Sequence, residues 1–328
     1  MRKLLIVLRH RFDLWNAPPW FAERVRHAFP QLEVVHLSDY DHLEDEIRDA
    51  EIVVAWSLRP QQLAAANQLR WIHSPAAAVH QLIFPELVNS DVVLTNAREV
   101  HGPVVAEHVM ALIFALAKKI PQSVAFQRRR IWGQQQVWSE PPRPREIMGA
   151  TLGLVGLGSI GREVAKRASG LGMRVLASRE HPEKAADHVA VLFSPAQLDG
   201  LLSQSDFVVL AAPLTPRTSN LMDATRLAKM KPDSYLINVS RGPVVDESAL
   251  ADTLRKRRIA GAALDVFSKE PLPPESPLWD LDNLLITPHS AALTEKLWDR
   301  HYALFSENLQ RYLNHEPLLG GVSKETGY

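Results

Sequence analysis

A chain of 328 residues exceeds the size at which one hydrophobic core usually keeps growing, so two domains are expected. Hydrophobic residues make up 46% and charged residues 23%, the proportions of ordinary globular domains, which argues against disorder and against a fibre. Lys plus Arg balance Asp plus Glu at 37 each, so neither a nucleic-acid nor a membrane surface is expected, and the lack of cysteine excludes disulfides, thiolate metal sites and thiol nucleophiles together. No metal site is expected, and a reducing cytoplasm suits this composition best.

The N-terminal "MRKLLIVLRH" sets basic residues ahead of an apolar run, as a secretory signal does, but Leu4 to Leu8 is only five residues, short of a signal core of roughly 7–15. A first β-strand fits better. No apolar stretch approaches the roughly 20 residues that span a bilayer, so no membrane partner is expected. "KLLIVL", "LEVVHL", "EIVVAW", "LRWIHS" and "DVVLTN" then alternate with helical or turn-like segments, which predicts a parallel sheet covered by helices. "GPVVAEHVMALIFALAKKI", Gly102 to Ile120, is apolar on nearly every face and predicts a buried helix opened by Gly-Pro.

Residues 121 to 150 differ, with Pro141, Pro142 and Pro144 close together, and predict an extended arm or linker. Seven further strand candidates follow in series: "TLGLVG", "RVLAS", "HVAVLF", "DFVVLAA", "SYLINVS", "GAALDVF" and "NLLITPH". They describe a doubly wound domain. From Ala291 onward Leu293, Leu297, His301, Leu304, Phe305, Leu309 and Tyr312 fall at helical spacing, predicting an amphipathic helix that packs back on the first domain. The basic runs Arg128 to Arg130 and Arg255 to Arg258 read as solvated faces, with an anion patch the alternative.

"TLGLVGLGSIG" places Gly156, Gly158 and Gly161 in G-x-G-x-x-G spacing directly after an apolar run, and the amphipathic "SIGREVAKRASGLG" follows. In a strand, turn and helix the first glycine serves the turn, the second lets the backbone approach a pyrophosphate, and the third allows close helix packing. The amides at the helix start would then face the anion. The next strand ends in Ser178 and Arg179, 18 residues beyond Gly161, where such a site meets the adenosine ribose. A carboxylate there would hold a ribose 2′-hydroxyl. A guanidinium pairs instead with a 2′-phosphate, and Ser178 can add a hydroxyl, so NADP(H) is expected in preference to NAD(H). The alternative is an exposed Arg179 with Glu180 turned inward as the ribose acceptor.

Three later segments, "NVSRGPVVDE", "ALDVFSKEPLPP" and "TPHSAALT", end strands on the edge where open α/β sheets bind ligands, and supply Arg241, Asp265, Glu270 and His289. Singly, each has a structural explanation: an arginine in a turn, acids on a loop, a histidine satisfied by backbone. Together with "GPVVAEHVMALIFAL", "GLVGLGSIG", "AAPLTPRTSNLMD" and "ENLQRYLNHEPLL", they make the chain resemble the D-isomer-specific 2-hydroxyacid dehydrogenases, the family of glyoxylate/hydroxypyruvate reductases, D-lactate dehydrogenases and phosphoglycerate dehydrogenases. The likeness covers about residues 90 to 320.

That resemblance implies hydride transfer between a nicotinamide and a small 2-keto or 2-hydroxy acid, with His289 as general acid/base and Glu270 bonded to its other ring nitrogen. It implies that Arg241 grips the substrate carboxylate and that Asp265 fixes the nicotinamide carboxamide. Further cofactor contacts are implied at Ser159, Ile160, Ala212, Pro213, Thr218, Val239 and Ala291, and at His289 itself. The family's glycine-containing carboxylate loop corresponds to "SPAAAV", where Ala77 and Ala78 match; if that turn needs a left-handed residue, alanine costs roughly 1–2 kcal/mol. Asn96 either faces the cleft or is a simple turn residue. In related dimeric reductases such an arm packs on the partner subunit, so the resemblance implies that role for Trp138 in the proline-bracketed arm, and with it a homodimer. Trp298 either covers the cleft or packs inside.

The expected architecture is α/β with two doubly wound parallel-sheet domains. A Rossmann dinucleotide-binding domain, residues 99–291 with its arm at about 120–150, is inserted into a flavodoxin-like substrate domain, residues 1–98 completed by 292–328. Formate dehydrogenase relatives pair the histidine with glutamine, whereas this chain offers Glu270. The C-terminal-binding corepressors, which sense nucleotide on the same fold, are the alternative from another functional class.

Overall fold

The computed structural model describes residues 1–77, 79 and 81–325. It divides into two compact units, Met1–His101 with Leu293–Tyr328, and Gly102–Ala292.

In the first unit the five apolar runs form β1 (Arg2–Val7), β2 (Leu32–Leu37), β3 (Ala50–Ala55), β4 (Trp71–Ser74) and β5 (Val93–Asn96). They pair in parallel in the flavodoxin-like order β2-β1-β3-β4-β5, with Leu4 between Val34 and Ile52. Leu4 to Val7 are wholly buried because helices cover both faces of a parallel sheet, which is why β1 reads as an unbroken apolar run. One face packs Leu4 and Ile6 on Phe21, Val25, Trp71, Phe305 and Leu309, and the other packs Leu5 and Val7 on Leu43, Ile47, Ile72 and Leu82. The helix Leu297–Leu313 thus joins this core, and Trp298 is buried within it, donating to the Leu14 carbonyl at 2.8 Å. Beyond the helix the chain runs along the outer edge of β5. Gly321 makes an antiparallel bridge with Thr95, Val322 N donates to Leu94 O at 3.0 Å, and Asn96 N donates to Gly320 O at 2.9 Å.

The second unit contains all seven later runs: β6 (Thr151–Val155), β7 (Arg174–Ser178), β8 (Val191–Phe193), β9 (Phe207–Leu210), β10 (Tyr235–Asn238), β11 (Gly261–Leu264) and β12 (Leu284–Ile286). The order β12-β11-β10-β9-β6-β7-β8 is parallel throughout, a Rossmann arrangement that reverses direction between β6 and β9. Chain connections from those two strands leave to opposite sides, which opens a crevice at their C-terminal ends.

Three local expectations are corrected. The apolar helix runs Arg98–Ala117, starting a turn before the Gly-Pro pair and carrying Pro103 inside it. At 20 residues it is also long and apolar enough to cross a membrane by length and composition alone, against the expectation that no stretch nears that length, and 67% of its apolar window is buried in the protein. Val109, Ile113 and Ala117 lie in the core of the second unit, so it behaves as a core helix. The segment after it is not extended throughout. Ile120–Arg128 and Gln134–Ser139 are helices, since Pro121 sits in a first turn, where its missing N–H costs nothing, and the clustered prolines come only at 141–144.

Candidate active site

Because every strand of the second unit is parallel, the segments that follow β6, β7, β9, β10, β11 and β12 emerge on one edge, and the sequence-derived catalytic and cofactor candidates of this unit lie there. Gly156 takes φ +100°, and a Cβ on it would come within 2.6 Å of Ala212 N; the two loops flanking the β6/β9 crevice can approach only through a residue without a side chain. Gly158 is the N-cap of the helix Ser159–Gly170, and a Cβ there would meet nothing within 4 Å. An open helix N-terminus with first-turn amides and space above it fits a dinucleotide pyrophosphate. Ile160 and Gly161 lie in the same first turn, Gly161 against the Gly156 carbonyl.

At the end of β7, Ser178 is buried and its carbonyl accepts from Gly156 N at 2.9 Å. Arg179 donates through Nη2 to the Lys184 carbonyl, while its Nε is buried with no partner among the described residues. Glu180 is exposed and paired to Arg217 Nη1 at 2.6 Å. Arg217 comes from the loop after β9, in which Ala212 is buried and Thr218 Oγ1 donates to the Pro213 carbonyl at 2.6 Å. Val239, after β10, is buried with its N–H on Leu210 O.

The turn after β10 is organised by Asn238, whose side chain accepts from Ser240 N at 3.0 Å and Ser240 Oγ at 2.8 Å and donates to Arg241 O at 3.1 Å. Gly242 then lies so close to Phe267 and Ser268 that any Cβ would strike their backbone. That approach brings Arg241 to the Phe267–Glu270 loop. Burial lowers the Arg241 guanidinium from its ordinary pKa and the charge of Glu270 opposes the shift. Glu270 Oε1 accepts from Phe267 N at 2.9 Å, and Oε2 lies 2.6 Å from His289 Nδ1. His289 is 49% exposed and Glu270 34%, so the pair is open to a ligand.

Asp265, after β11, is 1% exposed. Its Oδ1 accepts from Thr287 Oγ1 at 2.5 Å and Ser290 N at 2.8 Å, its Oδ2 from Ala291 N at 3.0 Å, and its main-chain carbonyl from His289 N at 2.9 Å. His289 has φ +52°, a left-handed conformation that costs a non-glycine residue about 1–2 kcal/mol, and Asp265 holds the three amides that define it.

The first unit supplies the rest of the candidates. Asn96 is buried, and its amide donates to Ala77 O at 2.7 Å, so its side chain supports the loop after β4. Neither Ala76 nor Ala77 has positive φ, so the feared left-handed strain does not arise at these two residues. Ala77 is exposed; Ala78 lies outside the described residues. Asn238, Gly242, Thr287 and Arg217 were not singled out from sequence, although all four stand inside the quoted motifs.

The model of the D-isomer specific 2-hydroxyacid dehydrogenase NAD binding domain matches residues 110–291. The chain belongs to that family. It is 35% identical to glyoxylate reductase of Thermofilum pendens over 87% of this chain and 85% of that protein. It is 31% identical to D-3-phosphoglycerate dehydrogenase of Methanocaldococcus jannaschii over 87% of this chain but 54% of that protein, so it spans about half the length of that relative. Among solved structures, the D-isomer specific 2-hydroxyacid dehydrogenase of Xanthobacter autotrophicus, in complex with NADPH and MES, has a TM-score of 0.82 at 30% identity, covering 100% of this chain and 99% of that one. The NADPH-dependent glyoxylate/hydroxypyruvate reductase of Sinorhizobium meliloti, in complex with NADP and sulfate, has a TM-score of 0.81 at 27% identity and full coverage of both chains.

Proposed function

We propose that the chain reduces small 2-keto acids of the glyoxylate and hydroxypyruvate class to D-2-hydroxy acids, taking NADPH in preference to NADH. The observation that carries this reading is the 2.6 Å pairing of His289 Nδ1 with Glu270 Oε2, with Arg241 near enough to feel the Glu270 charge. The Gly156–Gly161 turn and Asp265 would hold a reduced nicotinamide dinucleotide, which would supply the hydride for the carbonyl carbon. His289 gives its Nε2 proton to the carbonyl oxygen as that oxygen gains charge, and Glu270 orients the ring and offsets the imidazolium charge before transfer. Arg241 holds the substrate carboxylate through paired N–H bonds and polarises the 2-oxo group. Asp265 Oδ2 takes one protein amide, Ala291 N, and keeps acceptor capacity for a carboxamide.

The preference for NADPH rests on the end of β7. Glu180 is engaged by Arg217 rather than offered to a ribose hydroxyl, and Arg179 keeps a buried Nε without a partner among the described residues. Both features favour a 2′-phosphate. The NADP-bound S. meliloti and X. autotrophicus neighbours support the same choice. A homodimer is part of this reading: Trp132 and Trp138, around the helix Gln134–Ser139, are 89% and 52% exposed, more than a lone subunit gains by leaving indoles in water. A monomer mass by sedimentation contradicts that part.

The test is a panel of 2-keto acids assayed for loss of reduced-nicotinamide absorbance with each cofactor. Turnover of glyoxylate or hydroxypyruvate is expected. Roughly tenfold better use of NADH removes the cofactor preference, and failure to reduce any 2-keto acid removes the whole reading.

A further inference from the structure

We propose that His108 is a positioning residue for His289, acting through a directed chain of hydrogen bonds from His108 to Thr287 to Asp265. The inference deepens the functional reading above and rests on its assignment of His289. Thr287 Oγ1 lies 2.5 Å from Asp265 Oδ1, and a carboxylate can only accept, so the threonine's single proton is committed there. His108 Nε2 lies 3.2 Å from Thr287 Oγ1 and must therefore be the donor to it, which fixes the ring as the Nε2–H tautomer. The same nitrogen is 3.6 Å from Asp265 Oδ1.

Each bond in such a chain polarises the next, and the chain ends on the carboxylate that holds Ser290 N and Ala291 N. Asp265 also takes His289 N on its main-chain carbonyl, so the left-handed turn at His289 hangs on one residue whose orientation His108 and Thr287 set. His108 itself is carried on the helix Arg98–Ala117, whose neighbouring Ala106, Val109 and Leu112 are core residues, so its ring is mounted on a fixed element. Burial keeps this ring below the ordinary histidine pKa while Asp265 pulls the other way, which keeps it a neutral donor near neutrality. A buried histidine that merely satisfies its polarity needs only some acceptor. Here the acceptor chain leads to the proposed proton donor.

The test compares His108→Leu, His108→Gln and Thr287→Val in the full chain. Glutamine returns an N–H donor near the position of Nε2; leucine does not. In His108→Leu, kcat is expected to fall about 10- to 100-fold, because a misplaced reacting group costs turnover. His108→Gln recovers most of the loss, and Thr287→Val, which keeps shape and removes the middle hydroxyl, repeats it even if the leucine variant fails to fold. Carbethoxylation of His289, followed by peptide mass spectrometry across pH, reads the same ring without turnover, and its midpoint should move in the leucine and valine variants but not in the glutamine variant. An unmoved midpoint with unchanged kcat overturns the positioning role. An inactive wild-type chain whose midpoint moves as described sinks the functional reading alone.

Discussion

Acidification from about pH 7.5 to 5.5 should weaken the first unit far more than a surface histidine could. His73 is wholly enclosed, with Nδ1 2.8 Å from Thr95 Oγ1 and Nε2 lacking a partner among the described residues, and burial depresses its pKa to about 3. His301 is 2% exposed with both ring nitrogens lacking partners among the described residues, and burial with the neighbouring His101 and His73 holds it well below the usual histidine value. A folded-state pKa below the unfolded value means that the unfolded chain binds the proton first. The contribution is therefore complete above about pH 6.5 and drains away as pH falls toward the folded pKa. For His73 alone the loss between pH 7.5 and 5.5 is on the order of 1 kcal/mol, and His301 adds to it in the same direction. Urea unfolding followed by tryptophan fluorescence reads it, since Trp15, Trp20, Trp56, Trp71 and Trp298 all belong to this unit. His301→Phe, an aromatic of similar width among Trp298, His101 and the core, should reduce the pH dependence. A wild-type stability equal at both pH values, or a His301→Phe variant that loses as much as wild type, refutes the reasoning.

Replacing His289 with alanine should cut turnover about 10²- to 10⁴-fold with NADPH binding retained, measured by steady-state kinetics and by quenching of protein fluorescence. Glu270→Gln keeps a hydrogen-bond acceptor near Nδ1 but removes the charge, so the acid-side limb of the pH–rate profile should move; an identical profile means that the two residues are not coupled. Exchanging Arg217 for glutamate frees Glu180 and adds a second negative charge at the end of β7, and the ratio of kcat/KM for NADPH to that for NADH should fall about 10- to 100-fold. Gly242→Ala drives a methyl into the Phe267 backbone, and a loss of several degrees in Tm together with activity is expected by calorimetry.

The sheets were legible because buried parallel strands are written as unbroken apolar runs, and every such run quoted from the sequence became a strand. The helices Ile120–Arg128 and Gln134–Ser139 were not, because neither buries a residue and neither carries the periodicity that burial imposes. His289, Glu270 and Arg241 could be picked out because each stands at a strand end inside a dense motif. His108 and Thr287 could not, being 179 residues apart with a meaning that exists only once the helix Arg98–Ala117 lies beside β12's exit. The enclosed histidines come from β4, from the start of one helix and from the second turn of another, and no spacing rule joins them. Asn96, which by its place after an apolar run could face a cleft or sit in a turn, is buried with its amide on the Ala77 carbonyl, a contact that no local sequence signal announces.

The strip from Gly320 to Lys324 closes the flank of β5 with main-chain bonds, and Lys324 adds its ammonium on the Ser90 and Val92 carbonyls. Removing that strip would bare a row of amides and carbonyls able to recruit a foreign strand, so a shortened chain should self-associate edge to edge even with its chemistry intact. A purification tag therefore belongs after this seal and not in its place.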